Sequence, residues 1–296
     1  MTQGGMGFQP ALIVAFRSAK GRSFRGAKGD FGARRPNVLQ IRVGVQLASL
    51  RLPLKQGLLT AARMGAEAVE IDGRNDVKAD ELSRTGVRQV RKMLEDLNLR
   101  VSAVTYRTRR GYQVQDDLER RVAATQQALK MAYELGTNVV INHIGRVPEK
   151  GTPAWTIMVE ALTDIGRYGQ RVGATLAAET GTESGEDLAG LIAALPPASL
   201  GVDLNPANLI VNGHAPRDAA KALAQHVLHV HATDGTRDLA HGRGIEVQLG
   251  RGLAEFPELL GLLEERHYRG YITIERRQSE NAVSEIADAV KYLKSL

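Results

Sequence analysis

From Ile41 to the end of the chain, short runs rich in Val, Ile, Leu and Ala alternate with longer segments whose apolar residues recur at helical spacing. This rhythm constrains the fold more than any other feature, because strands joined through helices pair in parallel and need cover on both faces. The short runs are residues 41–47, 66–72, 100–106, 138–144, 174–180, 200–204, 226–231 and 270–276. Between and after them lie helical patterns at 54–64, 79–97, 116–135, 155–172, 186–195, 216–224, 256–267 and 284–296. Leu82, Val87, Val90, Leu94 and Leu97 make one helical face, and Gly65, Gly136, Gly173 and the Pro196–Pro197 pair close their helices. Eight strands each followed by a helix predict an α/β fold of the (β/α)8 TIM barrel type, with residues 41–296 as a single domain. A doubly wound open sheet is the alternative, but no G-x-G-x-x-G loop follows the first strand.

Charge sets residues 1–40 apart. Seven of the chain's 39 basic residues and one of its 33 acidic residues lie there, which accounts for the whole net charge of +6. The remainder is balanced, so bulk charge does not support a nucleic-acid groove in the folded body. The basic, Gly-rich leader is expected to be disordered: a translated upstream extension, an organelle-type presequence or a nucleic-acid tail. Its apolar run at residues 11–16 is too short and poorly flanked for a signal peptide, and no apolar run approaches membrane length. The expectation is a cytoplasmic protein without a membrane partner, and a homo-oligomer is compatible with the sequence. Cysteine is absent, so disulfides and thiolate metal sites are excluded and any ligands must be His, Asp, Glu or Asn.

In such a barrel the active site lies at the carboxyl ends of the strands. The polar residues expected there are Glu70 and Asp72, Asn142 and His143, Glu179, Asp203 and Asn205, His231, and Glu275. A buried lone carboxylate is costly, and a shared divalent cation would partner both Glu179 and Glu275. Each position has a plainer reading too. Glu275 precedes Arg276 and Arg277 and could simply pair with them, His143 could be a structural histidine, and His241 in a Gly-rich loop could be a lid residue or nothing.

The stretches LAAETG (176–181), NPAN (205–208), HVHATD (229–234), VQLGRG (247–252) and YITIER (271–276) together resemble the xylose isomerase-like TIM barrels. That family includes sugar phosphate isomerases and epimerases, ketose 3-epimerases, inosose dehydratases and endonuclease IV. The resemblance implies one divalent metal ion (Mn, Mg, Co or Zn) held by Glu179, His231, Glu275 and a fourth residue. The family has Asp at that fourth position, three residues before a His or Asn. Counting back from Asn208 gives Asn205, whereas the nearby carboxylate is Asp203; Asp203 is the expected ligand and Asn205 the alternative. Glu179 and Glu275 are then the catalytic acid and base, working through a metal-bound enediolate on a sugar or sugar phosphate. Glu70, His143, Asn208, Asp234 and Arg251 are the expected substrate contacts.

Three competing functions remain from the residues. A metal-dependent dehydratase of a cyclitol or keto-sugar would share the site, and a barrel without catalysis would only bind a ligand. An endonuclease IV-like enzyme would need more histidines than the seven present, and TYRTR (105–109) follows the third strand where a His would be wanted. No nucleic-acid partner is therefore expected.

Overall fold

The computed structural model describes residues 41–238 and 243–296; the expectations for the leader and for His241 fall outside them. The strands are β1 (Val43–Gln46), β2 (Ala68–Asp72), β3 (Arg100–Thr105), β4 (Val139–Asn142), β5 (Thr175–Glu179), β6 (Gly201–Leu204), β7 (Val227–Ala232), β8 (Asp234–Asp238), β9 (Arg243–Val247) and β10 (Ile272–Ile274). Strands β1 to β7 and β10 are parallel and close into a barrel in the order β1-β10-β7-β6-β5-β4-β3-β2. This is the eightfold (β/α)8 architecture predicted from the alternation.

The helices are α1 (Leu47–Leu50), α2 (Leu54–Arg63), α3 (Arg84–Asp96), α4 (Leu118–Leu135), α5 (Pro153–Val172), α6 (Gly185–Ala193), α7 (Pro206–Val211), α8 (Pro216–Leu223), α9 (Phe256–Glu265) and α10 (Ala282–Ser295). Their ends follow local chemistry. Ser83, Thr152 and Ser184 cap α3, α5 and α6 by accepting the backbone N–H of the third residue on, and Gly136 and Gly173 end α4 and α5 at φ 91° and 84°. Helix α3 begins at Arg84 rather than at residue 79, because Ser83 offers the cap. It buries Val87, Val90 and Leu94 against the barrel. No helix among the described residues is long and apolar enough to cross a membrane.

Two departures from the sequence reading bear on the site. Residues 234–247 contain the antiparallel β8–β9 pair where only a Gly-rich loop was expected. Helix α7 starts directly after β6, with Asn205 as its cap and Pro206 at its first position. Asn205 is thereby fixed by backbone geometry at the barrel mouth.

Candidate active site

Inside the barrel, Ala103, Val139, Ile141 and Ala177 form an apolar plug. A polar chain runs past it toward the mouth. Thr273 donates to Ser102 Oγ at 3.0 Å and contacts His229 Nε2 at 2.7 Å. His229 Nδ1 lies 2.8 Å from Asp203 Oδ1, and His231 Nδ1 lies 2.7 Å from Asp203 Oδ2. His231 Nε2 is 2.7 Å from Glu70 Oε2. Gln46 then donates to Glu70 at 2.8 Å and to Glu275 at 2.9 Å, and Thr105 also donates to Glu70. All of these side chains are buried. Buried polar groups survive only when partnered, and here the partners are each other.

The electrostatics follow from that wiring. Burial pushes the Glu70 carboxyl up, but His231 and its hydrogen bond, with His229 and Thr105, overcome this and hold it at about 2. Burial likewise lowers His231, and the carboxylates of Asp203, Glu70 and Glu275 outweigh it and raise the imidazole well above 6.5.

At the mouth stand Glu179 and Glu275, both almost fully buried. Arg277 donates from Nε to Glu275 at 2.5 Å and from Nη2 to Glu179 at 2.8 Å. Arg107 Nη2 lies 3.0 Å from Glu179 Oε2 and 3.4 Å from Glu275. Burial raises Glu179, but Arg107, His143 and Arg277 together bring it below the usual carboxylate range. Glu179 Oε2 has no hydrogen-bond partner of good geometry, although it is buried.

The two arginines are aimed by their surroundings. Glu246 of β9 and Glu285 of α10 take the neighbouring Arg276 at 2.7 and 2.6 Å, and Glu246 also accepts the backbone N–H of Arg277 at 3.1 Å. That leaves the Arg277 side chain to turn inward. Asn142 accepts the N–H of Thr108 at 3.0 Å and donates to Thr108 Oγ1 and to Tyr112, which ties down the turn carrying Arg107. A cavity of about 320 Å³ opens above, lined by Gln46, Arg51, Thr105, Arg107, Glu275 and Arg277 among others. Its size is at the lower end for small-molecule sites, which run from roughly 300 to 1,000 Å³.

The expected site residues divide as follows. Glu179, His231 and Glu275 converge, with ligand atoms within 4.8 Å of one another, and Glu70, His229 and His231 form a second such group. Both buried clusters are compact enough to bind a metal. Asp203 reaches His229 and His231, not the two glutamates, because it lies one pleat deeper on the strand than Asn205. Asn205 donates its amide to Glu179 at 2.9 Å and to Glu275 at 3.0 Å.

His143 sits beside the glutamates, its Nε2 3.2 Å from Glu179 Oε2 and accepting from Arg107 at 2.9 Å. Burial is the main reason its imidazole titrates below 6.5. Asn208 donates to Glu179 at 2.9 Å. Glu70 lies beneath the mouth on the wall of the cavity. Asp234 faces a different task. It accepts the backbone N–H groups of Gly235, Gly250, Gly252 and Ala254 at 2.8 to 3.0 Å. A Cβ at Gly252 would meet Asp234 Oδ1 at 2.3 Å, so that turn requires glycine. Arg251 is exposed and does not line the cavity.

The resemblance implies a four-donor cation site; the spacing of Glu179, His231 and Glu275 would allow one, but the chemistry of the full donor set does not fit it. The backbone N–H of Asn208 and the hydroxyl of Thr233 both donate to Asn205 Oδ1, at 3.1 and 2.7 Å. Its nitrogen must therefore face the glutamates, and an amide N–H₂ has no lone pair for a cation. Both imidazole nitrogens of His231 are engaged by carboxylates. Arg107 and Arg277 bring two positive charges to the two glutamates.

Gln46, Thr105 and Arg277 were not singled out as site residues in the sequence. Gln46 and Thr105 end their strands, and Arg277 lies two residues beyond Glu275, so strand position was the available signal.

A family model described as "Xylose isomerase-like TIM barrel" matches residues 58–296. No curated protein matches the sequence. Three solved structures illustrate the shared fold. A xylose isomerase domain protein from Planctomyces limnophilus is 23% identical with a TM-score of 0.77, the match covering 86% of this chain and 96% of that one. The probable 3-DHS dehydratase AsbF of Bacillus anthracis is 16% identical with a TM-score of 0.71, covering 86% and 99%. An L-ribulose 3-epimerase is 15% identical with a TM-score of 0.70, covering 86% and 94%. With the family model spanning most of the chain and the closed eight-stranded barrel around this site, the protein belongs to the xylose isomerase-like TIM barrel family.

Proposed function

We propose that this protein isomerises or epimerises a sugar or sugar phosphate by moving a proton at the carbon beside a carbonyl, with Glu179 and Glu275 as the exchanging groups. The observation that carries this reading is the pair of buried carboxylates at the mouth: Glu275 lines a cavity of sugar size, and Glu179, joined to it through Arg107 and Arg277, keeps one oxygen without a hydrogen bond of good geometry. One carboxylate takes the proton. The C–H electron pair becomes the C=C bond of an enediolate, and the carbonyl π pair moves onto oxygen. The other glutamate, in its acid form, returns a proton from the opposite face for epimerisation, or to the neighbouring carbon for isomerisation. Two carboxylates this close, once their arginine contacts are given up to a substrate, favour sharing one proton. The similarity of fold to an L-ribulose 3-epimerase supports this chemistry.

The test is to incubate the protein with a panel of ketoses, aldoses and their phosphates and follow products by NMR. Interconversion with the formula retained is expected, and Glu179→Gln or Glu275→Gln should slow it by about 10²- to 10⁴-fold. Loss of water from the substrate would instead indicate a dehydratase. No conversion of any compound would indicate a barrel that only binds.

A further inference from the structure

We infer that the guanidinium pair of Arg107 and Arg277, rather than a resident divalent cation, is the electrophile of this barrel; the catalytic half of the inference rests on the proton-transfer reading above. Three observations converge on it. The fourth donor position is an asparagine whose amide is locked with its N–H₂ toward the glutamates. Two guanidinium groups contact both glutamates, so the mouth is charge-balanced by side chains alone. Neither arginine is a drifting surface residue. Glu246 and Glu285 engage Arg276 in its own ion pairs and Glu246 anchors the Arg277 backbone, while Asn142 ties the turn behind Arg107.

The chemistry balances without a metal. A substrate carbonyl and its neighbouring hydroxyl present two oxygens side by side, which suits the planar fork of a guanidinium. As the C–H pair becomes the C=C bond and the carbonyl π pair moves onto oxygen, the charge on that oxygen is met by N–H donors that keep their protons. An N–H given to the substrate is also one taken from a glutamate. The released carboxylate becomes the stronger base at the moment the proton must be removed.

The test uses the full chain and begins with calorimetric titration of Mn²⁺ and Zn²⁺ and with solvent-proton exchange before and after chelation. Wild type should show no saturable binding of either metal, and exchange should survive the chelator. Asn205→Asp combined with Arg277→Gln should gain a saturable site. Arg277→Ala should lose about 10²- to 10³-fold in exchange rate and recover part of it with added guanidinium at non-denaturing concentration, a recovery that a merely structural role would not give. If Arg277→Ala does not fold, Arg277→Lys replaces it, keeping the charge but losing the fork, and should still slow exchange at least tenfold. One equivalent of tightly bound metal in wild type, with exchange abolished by chelation, would overturn the inference. So would unchanged exchange in the Arg277 variant. A protein with no exchange activity under any condition would fail the proton-transfer reading, and the metal titration would still decide the cation question.

Discussion

Asp203 holds His231 by a 2.7 Å hydrogen bond from Nδ1 while its other oxygen holds His229 at 2.8 Å, so one carboxylate locks two imidazoles in the barrel interior. Removing one member of such a buried charged set leaves the others unpaired. Asp203→Ala is expected to cost about 3–5 kcal/mol, which for a domain of this size lowers Tm by roughly 6–20 °C. Scanning calorimetry checks it. A shift of only a degree or two would show that the interior network contributes little.

Glu70 sets an acid limit on stability. Its folded value of about 2 lies below the unfolded 4.5, so the stabilisation is fully present above pH 4.5 and is lost as pH falls toward 2. The shift corresponds to about 3 kcal/mol. Urea unfolding at pH 7, 4 and 3 should show the loss, and Glu70→Gln should flatten that stretch of the profile. An equally steep profile in the variant would assign the acid sensitivity elsewhere.

Asp234 organises the turn after β9 by accepting three of its backbone N–H groups, from Gly250, Gly252 and Ala254, besides that of Gly235 in β8. Asp234→Ala leaves those donors without their carboxylate, with an expected loss of about 2–4 kcal/mol. Hydrogen exchange at residues 250–254 should accelerate more than exchange in the barrel strands. Uniform acceleration would mean that the turn does not open separately.

Arg251, exposed and away from the cavity, should be replaceable. Arg251→Ala is expected to change turnover and KM by no more than about twofold. A tenfold rise in KM would bring it back as a substrate contact.

The barrel was legible because two periodicities alternate with little interruption from Ile41 to Leu296, and each strand end then places a polar side chain at the mouth. Glu179 and Glu275 could be found on that ground alone. The choice between Asp203 and Asn205 could not, since residues two apart on a strand face the same way and only depth along the barrel separates them. That depth was fixed by helix α7, whose cap is Asn205 and whose short apolar run reads equally as strand or loop. The β8–β9 hairpin was missed for a related reason: glycines interrupt the strand pattern, and its register depends on pairing across the turn. Arg277 was visible as a partner for Glu275, but its reach to Glu179 on another strand depends on Glu246 of that hairpin.

The most direct test of the central claim is solvent deuterium incorporation. Wild-type protein in ²H₂O with the panel of ketoses and their phosphates should place deuterium at the carbon beside the carbonyl, and Glu179→Gln and Glu275→Gln should each suppress it by at least about 100-fold. Exchange that persists undiminished in both variants, or its absence with every compound, would contradict the account.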